Sequence, residues 1–358
     1  MPQAESRLDL TDQHLIGPIL EIAPLCPLCG GGDLVIALPK MRDRLGHVPG
    51  EFDFYQCRKC GSVSIFPLPA EEEISGFYPP SYMVARPTST GDFGSLLKSL
   101  EWRTLFVPVY RSGAKSVLRC VDLKAGRILE VGCSSGYQLR EFEKLGNFEV
   151  VGVDIDGAAA EHARREVGLN VLNSTLREAD LPPASFDLVI LFNVIEHLVN
   201  PLDMLEEICR VLKPGGSLAI KTQMIDSLQG RALGRRWMVL GEVPRHVLLA
   251  STVGMRQVLK RAGMHSVRSL RGSALENGVS IALSLLPQAT SLIVLQRYPR
   301  AAGFFIRLAG LLVGVACLGA AVAEKVLGVS GTMIYVAKKE SKEPAAGPSL
   351  QSPELISR

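Results

Sequence analysis

The chain predicts an α/β fold with a doubly wound parallel sheet, preceded by a small metal-stapled module. Three observations carry this. Arg127 to Asp156 reads RILEVGCSSGYQLREFEKLGNFEVVGVDID: an apolar run, a loop of small residues, a helical pattern, a second apolar run and a terminal acid. That order makes a βαβ nucleotide-binding unit. Residues 26–30 (CPLCG) and 57–61 (CRKCG) are two Cys-x-x-Cys pairs, each followed by glycine. Further apolar runs, Leu188-Val189-Ile190-Leu191 and Ser217 to Lys221, alternate with helical patterns, as strands covered on both faces do.

Bulk properties narrow the class. At 358 residues the chain can build one large or two modest domains. A net charge of +3 argues against a nucleic-acid surface. The mean hydropathy of +0.20 is high for a soluble enzyme, and one C-terminal stretch accounts for part of it. MPQAESRLDLTDQHL has no basic region followed by an apolar core, so no secretory signal is expected and the expected location is cytoplasmic. Four of the eight cysteines fall in the two pairs, while Cys120, Cys133, Cys209 and Cys317 are scattered. Such usage suits a reducing compartment with a metal site better than a disulfide framework.

The segments follow in order: an extension over 1–20, a zinc ribbon over 21–70, an aromatic turn and helical cap over 71–124, the main domain over 125–338 and a polar, disordered tail over 339–358. In the ribbon, the glycine after each pair permits the tight turn that aims backbone N–H groups at sulfur. Cys26, Cys29, Cys57 and Cys60 give four thiolates, a closed tetrahedral set that makes the zinc structural. Leu34 to Leu38 and Phe52 to Tyr55 supply its strands. A thiol redox role is the rival reading of one pair, and two pairs together disfavour it. The ribbon either nucleates a domain too small to fold alone or contacts substrate. After it, Ala70 to Ile74 starts a short helix and Phe77 to Tyr82 is an aromatic turn. Residues 86–94 form a loop, and Ser95 to about Val121 is an amphipathic helical pattern.

The βαβ unit lacks G-x-G-x-x-G. Its loop is Gly132-Cys133-Ser134-Ser135-Gly136, and Glu130 stands inside the preceding strand. A carboxylate there repels a pyrophosphate and suits a ligand with an ammonium group, such as the amino-acid end of S-adenosylmethionine. Asp154, at the tip of the next strand, is placed to accept both ribose hydroxyls.

ILEVGCSSG, VVGVDID, SFDLVILFNVIEHL and VLKPGGSLAI, in this order, resemble class I S-adenosylmethionine-dependent methyltransferases over residues 125–265. CPLCG…YQCRKCG…FYPPSYM resembles the N-terminal zinc-binding segment of a bacterial subgroup. The resemblance implies a seven-stranded Rossmann-like sheet with Glu130, Gly132, Cys133 and Gly136 around the methionine end. It implies Asp154 on the ribose and Ile155 on the adenine face. Phe192 and Asn193 lie where such sheets bind ligands. Ser134 replaces the middle glycine of the family loop and is small enough to permit cofactor approach. No acid follows the third strand (Val171 to Leu176), so the adenine contact passes to Ser174, Thr175 or backbone.

Methyl transfer is an in-line displacement in which alignment supplies much of the rate, and a base is needed only if the acceptor must lose a proton. Glu196-His197 follows the fourth strand. Either His197 faces the acceptor, as base or hydrogen-bond partner with Glu196 orienting it, or the pair caps a helix and braces the sheet edge. Some RNA 2′-O-methyltransferases of this fold bind a divalent ion through Glu-x-x-Glu-His. Here Asn193 replaces the first acid, and no catalytic metal is expected. A second acceptor patch runs from Arg235-Arg236-Trp237 to Arg245-His246, with His246 the further catalytic candidate; the bland alternative is an exposed basic loop with a packed tryptophan. Lys213-Pro214-Gly215-Gly216 is a turn without chemistry.

Residues 302–327 read as a hydrophobic helical insertion. Arg307 interrupts the run and leaves Leu308 to Ala323, sixteen residues, short for a bilayer span. Thr332 to Lys338 reads as the last strand, which must pair with partners upstream. A packed helical hairpin, a homodimer contact or a peripheral membrane contact is therefore expected. The function expected is methyl transfer from S-adenosylmethionine to a small-molecule or glycan-type acceptor, at oxygen, with no nucleic-acid partner. A lipid-linked or quinone-like acceptor is the alternative within enzymes, and a non-catalytic zinc-ribbon binding module the alternative outside them.

Overall fold

A computed structural model describes residues 24–78, 106–286, 300–328 and 330–341. The expected extension over 1–20, the loop at 86–94, the start of the helical pattern at Ser95 and all but the start of the tail lie outside them.

The chain opens with strands β1 (Leu34–Met41), β2 (Phe52–Cys57) and β3 (Val63–Phe66), followed by the single turn α1 (Glu71–Ile74). Helix α2 (Val107–Val121) leads into β4 (Ala125–Val131). β4 begins before the apolar run because it pairs in parallel with β5 (Asn147–Asp154) from Ala125 onward. Helix α3 (Tyr137–Glu143) joins the two strands. Then come α4 (Gly157–His162), β6 (Asn170–Asn173), β7 (Phe186–Phe192), α5 (Pro201–Val211) and β8 (Leu212–Gln223). Proline at the start of α5 fits the first turn, where its missing N–H has no partner to lose.

The rest of the chain adds α6 (Leu228–Leu233), β9 (Leu248–Leu249), α7 (Thr252–Arg261) and β10 (Met264–Arg271). It closes with α8 (Ala274–Leu285), α9 (Arg300–Leu327) and β11 (Thr332–Lys339). Ser251 caps α7 by accepting from Gly254 N–H, as its residue type predicts.

The large sheet has seven strands in the order β10-β11-β8-β7-β4-β5-β6. β6, β5, β4, β7 and β8 run parallel, and β11 lies antiparallel between β8 and β10. The order reverses between β4 and its neighbours β5 and β7. Ligands bind outside the carboxyl ends of strands at such a switch point. One core face joins Ile128, Leu188, Ile190 and Phe192 to α2 and α3 through Val117 and Phe142. The other joins Leu129, Val189 and Leu191 to α5 and α7 through Ile208 and Val258.

The cysteine module is not a separate body. Its sheet runs β1-β2-β3-β9, so the last strand comes from the main domain. Arg261 donates to the Leu28 carbonyl at 2.9 Å, and Ser62 donates to or accepts from Ser251 at 3.2 Å. The helical insertion also begins earlier than expected, since α8 precedes the stretch at 302–327; α8 and α9 pack on each other between β10 and β11. No helix among the described residues is long and apolar enough to cross a membrane.

Candidate functional site

The loop after β4 is shaped by backbone demands. Gly132 has φ +70, where a Cβ would clash with Val194, and Gly136 has φ +78, with Leu169 against it. Ser134 also takes a left-handed conformation, φ +48, which side chains disfavour. What holds it there is Asp154: its Oδ2 accepts from Ser134 N–H at 2.6 Å and its Oδ1 from Asp156 N–H at 2.8 Å. The missing glycine is thus compensated by an acid that the next strand delivers. Each Asp154 oxygen keeps a further acceptor position for a hydroxyl. Burial raises the pKa of Asp154, and the two backbone donors oppose that rise.

Glu130 is 2% exposed, and its Oε2 has no hydrogen-bond partner among the described residues. Burial pushes its pKa well up, with Lys221 pulling the other way. A cationic group delivered to Oε2 would satisfy the orphaned oxygen and restore the charge. Strand register puts Glu130 beside Ile190 and Phe192 beside Lys221. The cleft over this edge is lined by Gly113, Gln138, Phe192, Lys221, Ser273 and Glu276. Lys221 pairs with Glu276 at 3.0 Å and lies over the Phe192 ring.

The other predicted contacts divide. Ile155 is 61% exposed beside Asp154 and offers an apolar face. Ser174 has a buried hydroxyl without a partner among the described residues, next to its backbone bond to the Asp154 carbonyl. Thr175, by contrast, spends its hydroxyl on Glu178 at 2.8 Å, closing a local turn. Cys133 turns its thiol into the core against Gly152, so only its backbone faces the loop; burial raises its pKa. Asn193 stands exposed at φ +54 beyond β7, its backbone N–H donating to the Lys221 carbonyl at 2.8 Å.

Glu196 and His197 do not act as a mutual pair. Glu196 is fully buried and accepts from Thr222 Oγ1 at 2.9 Å. Burial pushes its carboxyl up to about 7, and its Oε1 has no partner among the described residues. Because the Glu196 side chain points at β8, His197 is oriented by another group, the Arg245 carbonyl, 2.9 Å from its Nδ1. A carbonyl only accepts, so Nδ1 carries the proton and Nε2 is left with its lone pair. Tyr78 Oη shares Nδ1 at 2.9 Å. His246 is held likewise, its Nδ1 donating to the Val239 carbonyl at 2.7 Å, and the two rings lie 4.8 Å apart. Burial takes His197 down to about 3 and His246 down to about 4. Both are neutral at physiological pH.

Arg245 and Trp237 are not an exposed acceptor patch. Both are fully buried. Arg245 Nη2 meets Asp43 Oδ1 at 2.5 Å and its Nη1 reaches the Phe77 carbonyl at 3.1 Å. Asp43 also caps its own loop through the N–H groups of Leu45, His47 and Val48. The sequence reading missed Tyr78, Thr222 and the Asp43–Arg245 pair. The only sequence signal for Tyr78 was the aromatic run it belongs to.

Cys26, Cys29, Cys57 and Cys60 converge, with Sγ separations of 3.6 Å (Cys26 to Cys60) and 3.4 Å (Cys29 to Cys57). A tetrahedron of Zn–S bonds near 2.3 Å needs sulfurs about 3.8 Å apart, so the set fits a closed metal centre. The hydrogen bond from Cys26 pulls Cys60 down to about 5. Gly31 N–H points at Cys29 Sγ at 3.4 Å. Glu196, His197 and His246 also gather, one ligand atom of each lying within 4.8 Å of the others. In this cluster Nδ1 of each histidine is already committed to a backbone carbonyl and Glu196 to Thr222.

A methyltransferase-domain family model matches residues 129–220, the segment from β4 to β8. A probable S-adenosylmethionine-dependent methyltransferase of Mycolicibacterium smegmatis is 39% identical over 100 residues, 27% of this chain and 38% of that protein. A ubiquinone biosynthesis O-methyltransferase of Bradyrhizobium is 35% identical over 118 residues, 32% of this chain and 45% of that protein. A tRNA U34 carboxymethyltransferase of Azotobacter vinelandii is 30% identical over 156 residues, 41% of this chain and 48% of that protein. The chain spans less than half the length of each relative. Residues 129–220 thus match a methyltransferase domain, and the Mycolicibacterium relative is by its name S-adenosylmethionine-dependent.

Proposed function

We propose that this domain carries the methyl group of S-adenosylmethionine to a hydroxyl of a small-molecule or glycan-type acceptor. The observation that carries the donor half is Glu130. A buried carboxylate with an orphaned oxygen, at the end of β4 just before the loop of small residues, suits the ammonium of a methionine tail. Asp154 would take the ribose hydroxyls, Ile155 the adenine face and Ser174 an adenine or ribose polar atom. The cofactor supplies a methyl already activated by its sulfonium. The four-sulfur cluster would hold one zinc whose role is structural, since no coordination position is left open.

On the acceptor side, His197 presents an unprotonated Nε2. Its depressed pKa makes it a weak base and a fixed hydrogen-bond acceptor, so its work is to orient the hydroxyl toward the methyl. The C–O bond forms as the S–CH₃ bond breaks, its electron pair staying on sulfur. The oxonium so formed is acidic enough to lose its proton to a weak base, and His197 would take it. The net charge of +3 is too near neutral to favour a nucleic-acid acceptor. The second reading is a quinone-like or lipid-linked acceptor. The apolar outer face of α9 and the ubiquinone-type relative support it.

Calorimetry on the purified chain tests the donor half: S-adenosylmethionine should bind and Glu130→Gln should weaken it. A wild type that binds none would leave a non-catalytic module as the better reading. A panel of hydroxylated and quinone-like acceptors, run with His197→Ala, then assigns the acceptor. His197→Ala should lower kcat more than it raises KM; an unchanged kcat would remove His197 from the reaction.

A further inference from the structure

Of the basic stretch from Arg235 to His246, Trp237 and Arg245 turn inward and are fully buried. Arg235 and Arg236 stay exposed on a short 3₁₀ turn, Gly234–Arg236, at the seam between the cysteine module and the main domain. Trp237 directly after them anchors the turn in the core. Arg235 reaches across the seam: its Nη1 donates to the Pro39 carbonyl at 2.5 Å and its Nη2 to the Lys40 carbonyl at 3.3 Å. Lys40 is held there at φ +54, with its N–H donated to Asp53 Oδ1 at 2.7 Å. Side chains disfavour that left-handed conformation.

Arg44 crosses the seam in the other direction. Its N–H donates to the Gly241 carbonyl at 2.9 Å, and its stem lies across Gly241, where any Cβ would run into it. Its Nη2 donates to the Arg235 carbonyl at 2.8 Å, which sets the guanidinium against the peptide joining Arg235 to Arg236. The side chain is thus fixed and half-buried. Its Nη1 is buried without an acceptor among the described residues, and His47 in the same loop leaves its Nε2 buried and unpartnered as well. Buried donors of this kind are rare and costly to leave unmade.

No acid answers these charges. In the β1–β2 hairpin Asp43 is taken by Arg245, Glu51 by Arg42 and Asp53 by the backbone of Lys40. On the facing segment Asp226 accepts from Thr252 N–H, and Glu242 lies 4.0 Å from His246 Nε2. Arg44, Arg235 and Arg236 have no salt-bridge partner among the described residues. Burial acts on Arg44 with no acid to oppose it and lowers its pKa. A cation drawn partly out of water without a counter-charge is costly, and like charges beside it raise the cost. An anion removes both penalties. Guanidinium forks match phosphate oxygens, and a phosphate monoester brings about two negative charges, more than one carboxylate can set against three arginines. We infer that the seam is a phosphate-binding site, in which Arg44 and Arg236 hold the terminal oxygens of a phosphate monoester and Arg235 locks the two sides together. None of these residues belongs to the donor site, and Arg44 follows Asp43, whose carboxylate holds Arg245.

Calorimetry of the full chain with inorganic phosphate, at constant ionic strength, reads the site. The wild type should bind it. Arg44→Gln should weaken binding about tenfold, and Arg236→Gln about threefold or more. Arg236→Gln keeps the test open should Arg44→Gln fail to fold by far-UV circular dichroism, because an exposed side chain is exchanged. Arg119→Gln removes the same charge from exposed α2 surface and should change nothing. Two pairs of probes then tell the source of the phosphate. Glucose 6-phosphate binding where glucose does not assigns a soluble ester. Flotation with phosphatidylcholine vesicles only when they carry phosphatidic acid assigns a lipid headgroup. Either signal should fall in Arg236→Gln. Absence of binding to inorganic phosphate and to both esters would overturn the proposal, as would binding that Arg236→Gln weakens no more than Arg119→Gln does.

Discussion

The Asp43–Arg245 pair links the cysteine module to His197, the histidine proposed to meet the acceptor, and its removal has a calculable consequence. Both side chains are fully buried, and the carboxylate takes two bonds from the guanidinium and three from backbone N–H groups. Burial raises the pKa of Asp43, but Arg245 and the backbone donors outweigh it and the net shift is downward. Deleting one member of a buried pair costs about 3–5 kcal/mol, because the other charge is left in a low dielectric. Asp43→Ala also frees the loop N–H groups, adding about 1 kcal/mol for each that water does not reach. Arg245→Met leaves Asp43 with its three backbone donors, so its cost belongs at the lower end, about 3 kcal/mol. Asp43→Ala must therefore destabilise more than Arg245→Met. Urea unfolding followed by circular dichroism measures both. Since the Arg245 carbonyl fixes the His197 tautomer, any folded Asp43→Ala protein should also lose kcat before it loses cofactor affinity. A cost below about 1 kcal/mol for Asp43→Ala, or the reverse order, would refute the reasoning.

Three further outcomes are expected. Asp154→Ala should weaken S-adenosylmethionine binding by roughly a hundredfold, about 3 kcal/mol for charge-assisted bonds to two hydroxyls; calorimetry giving less than about fivefold would move the ribose elsewhere. Cys57→Ser should drop bound zinc from about one per chain and lower the melting transition of the whole protein, because β9 joins the two sheets; metal analysis with calorimetric scanning checks it. The two buried histidines should make acid destabilising. Burial holds His197 and His246 down to about 3 and about 4, from an ordinary 6.5, so below pH 6.5 the unfolded chain takes up protons that the folded chain refuses, and the stability tied to their neutral forms is lost as pH falls. Glu130, Asp154 and Glu196, raised by burial, act in the opposite sense, so the histidine effect is read as a difference between proteins. Between pH 6.5 and 5, His246→Gln should lose less stability than the wild type, by up to about 1.4 kcal/mol per pH unit; identical slopes in denaturant titrations at the two pH values would contradict the burial effect.

What the sequence could disclose follows from the range of the forces involved. β4, its loop and β5 were legible because a buried parallel strand needs a continuous apolar run and the loop needs small residues at positive φ, both local demands. The four cysteines were legible because metal ligation imposes a short spacing on each pair. Ser134 was read as a departure from glycine, yet its cause is not local, since Asp154 holds its N–H from the neighbouring strand. Glu196-His197 misled for a related reason. Adjacency in sequence suggested that one residue orients the other, but neighbouring residues on a tight turn point apart. Glu196 reaches β8 and His197 reaches the Arg245 carbonyl. Arg245 itself looked like a basic loop residue because a lone arginine carries no sign of its partner, and Asp43 lies in another module. The one long-range feature that could be read ahead of the structure was β11. Its need to pair within the main sheet forbade a single membrane crossing by the apolar stretch before it. The hairpin of α8 and α9 satisfies that constraint, returning the chain to the sheet edge where β11 joins β8 and β10.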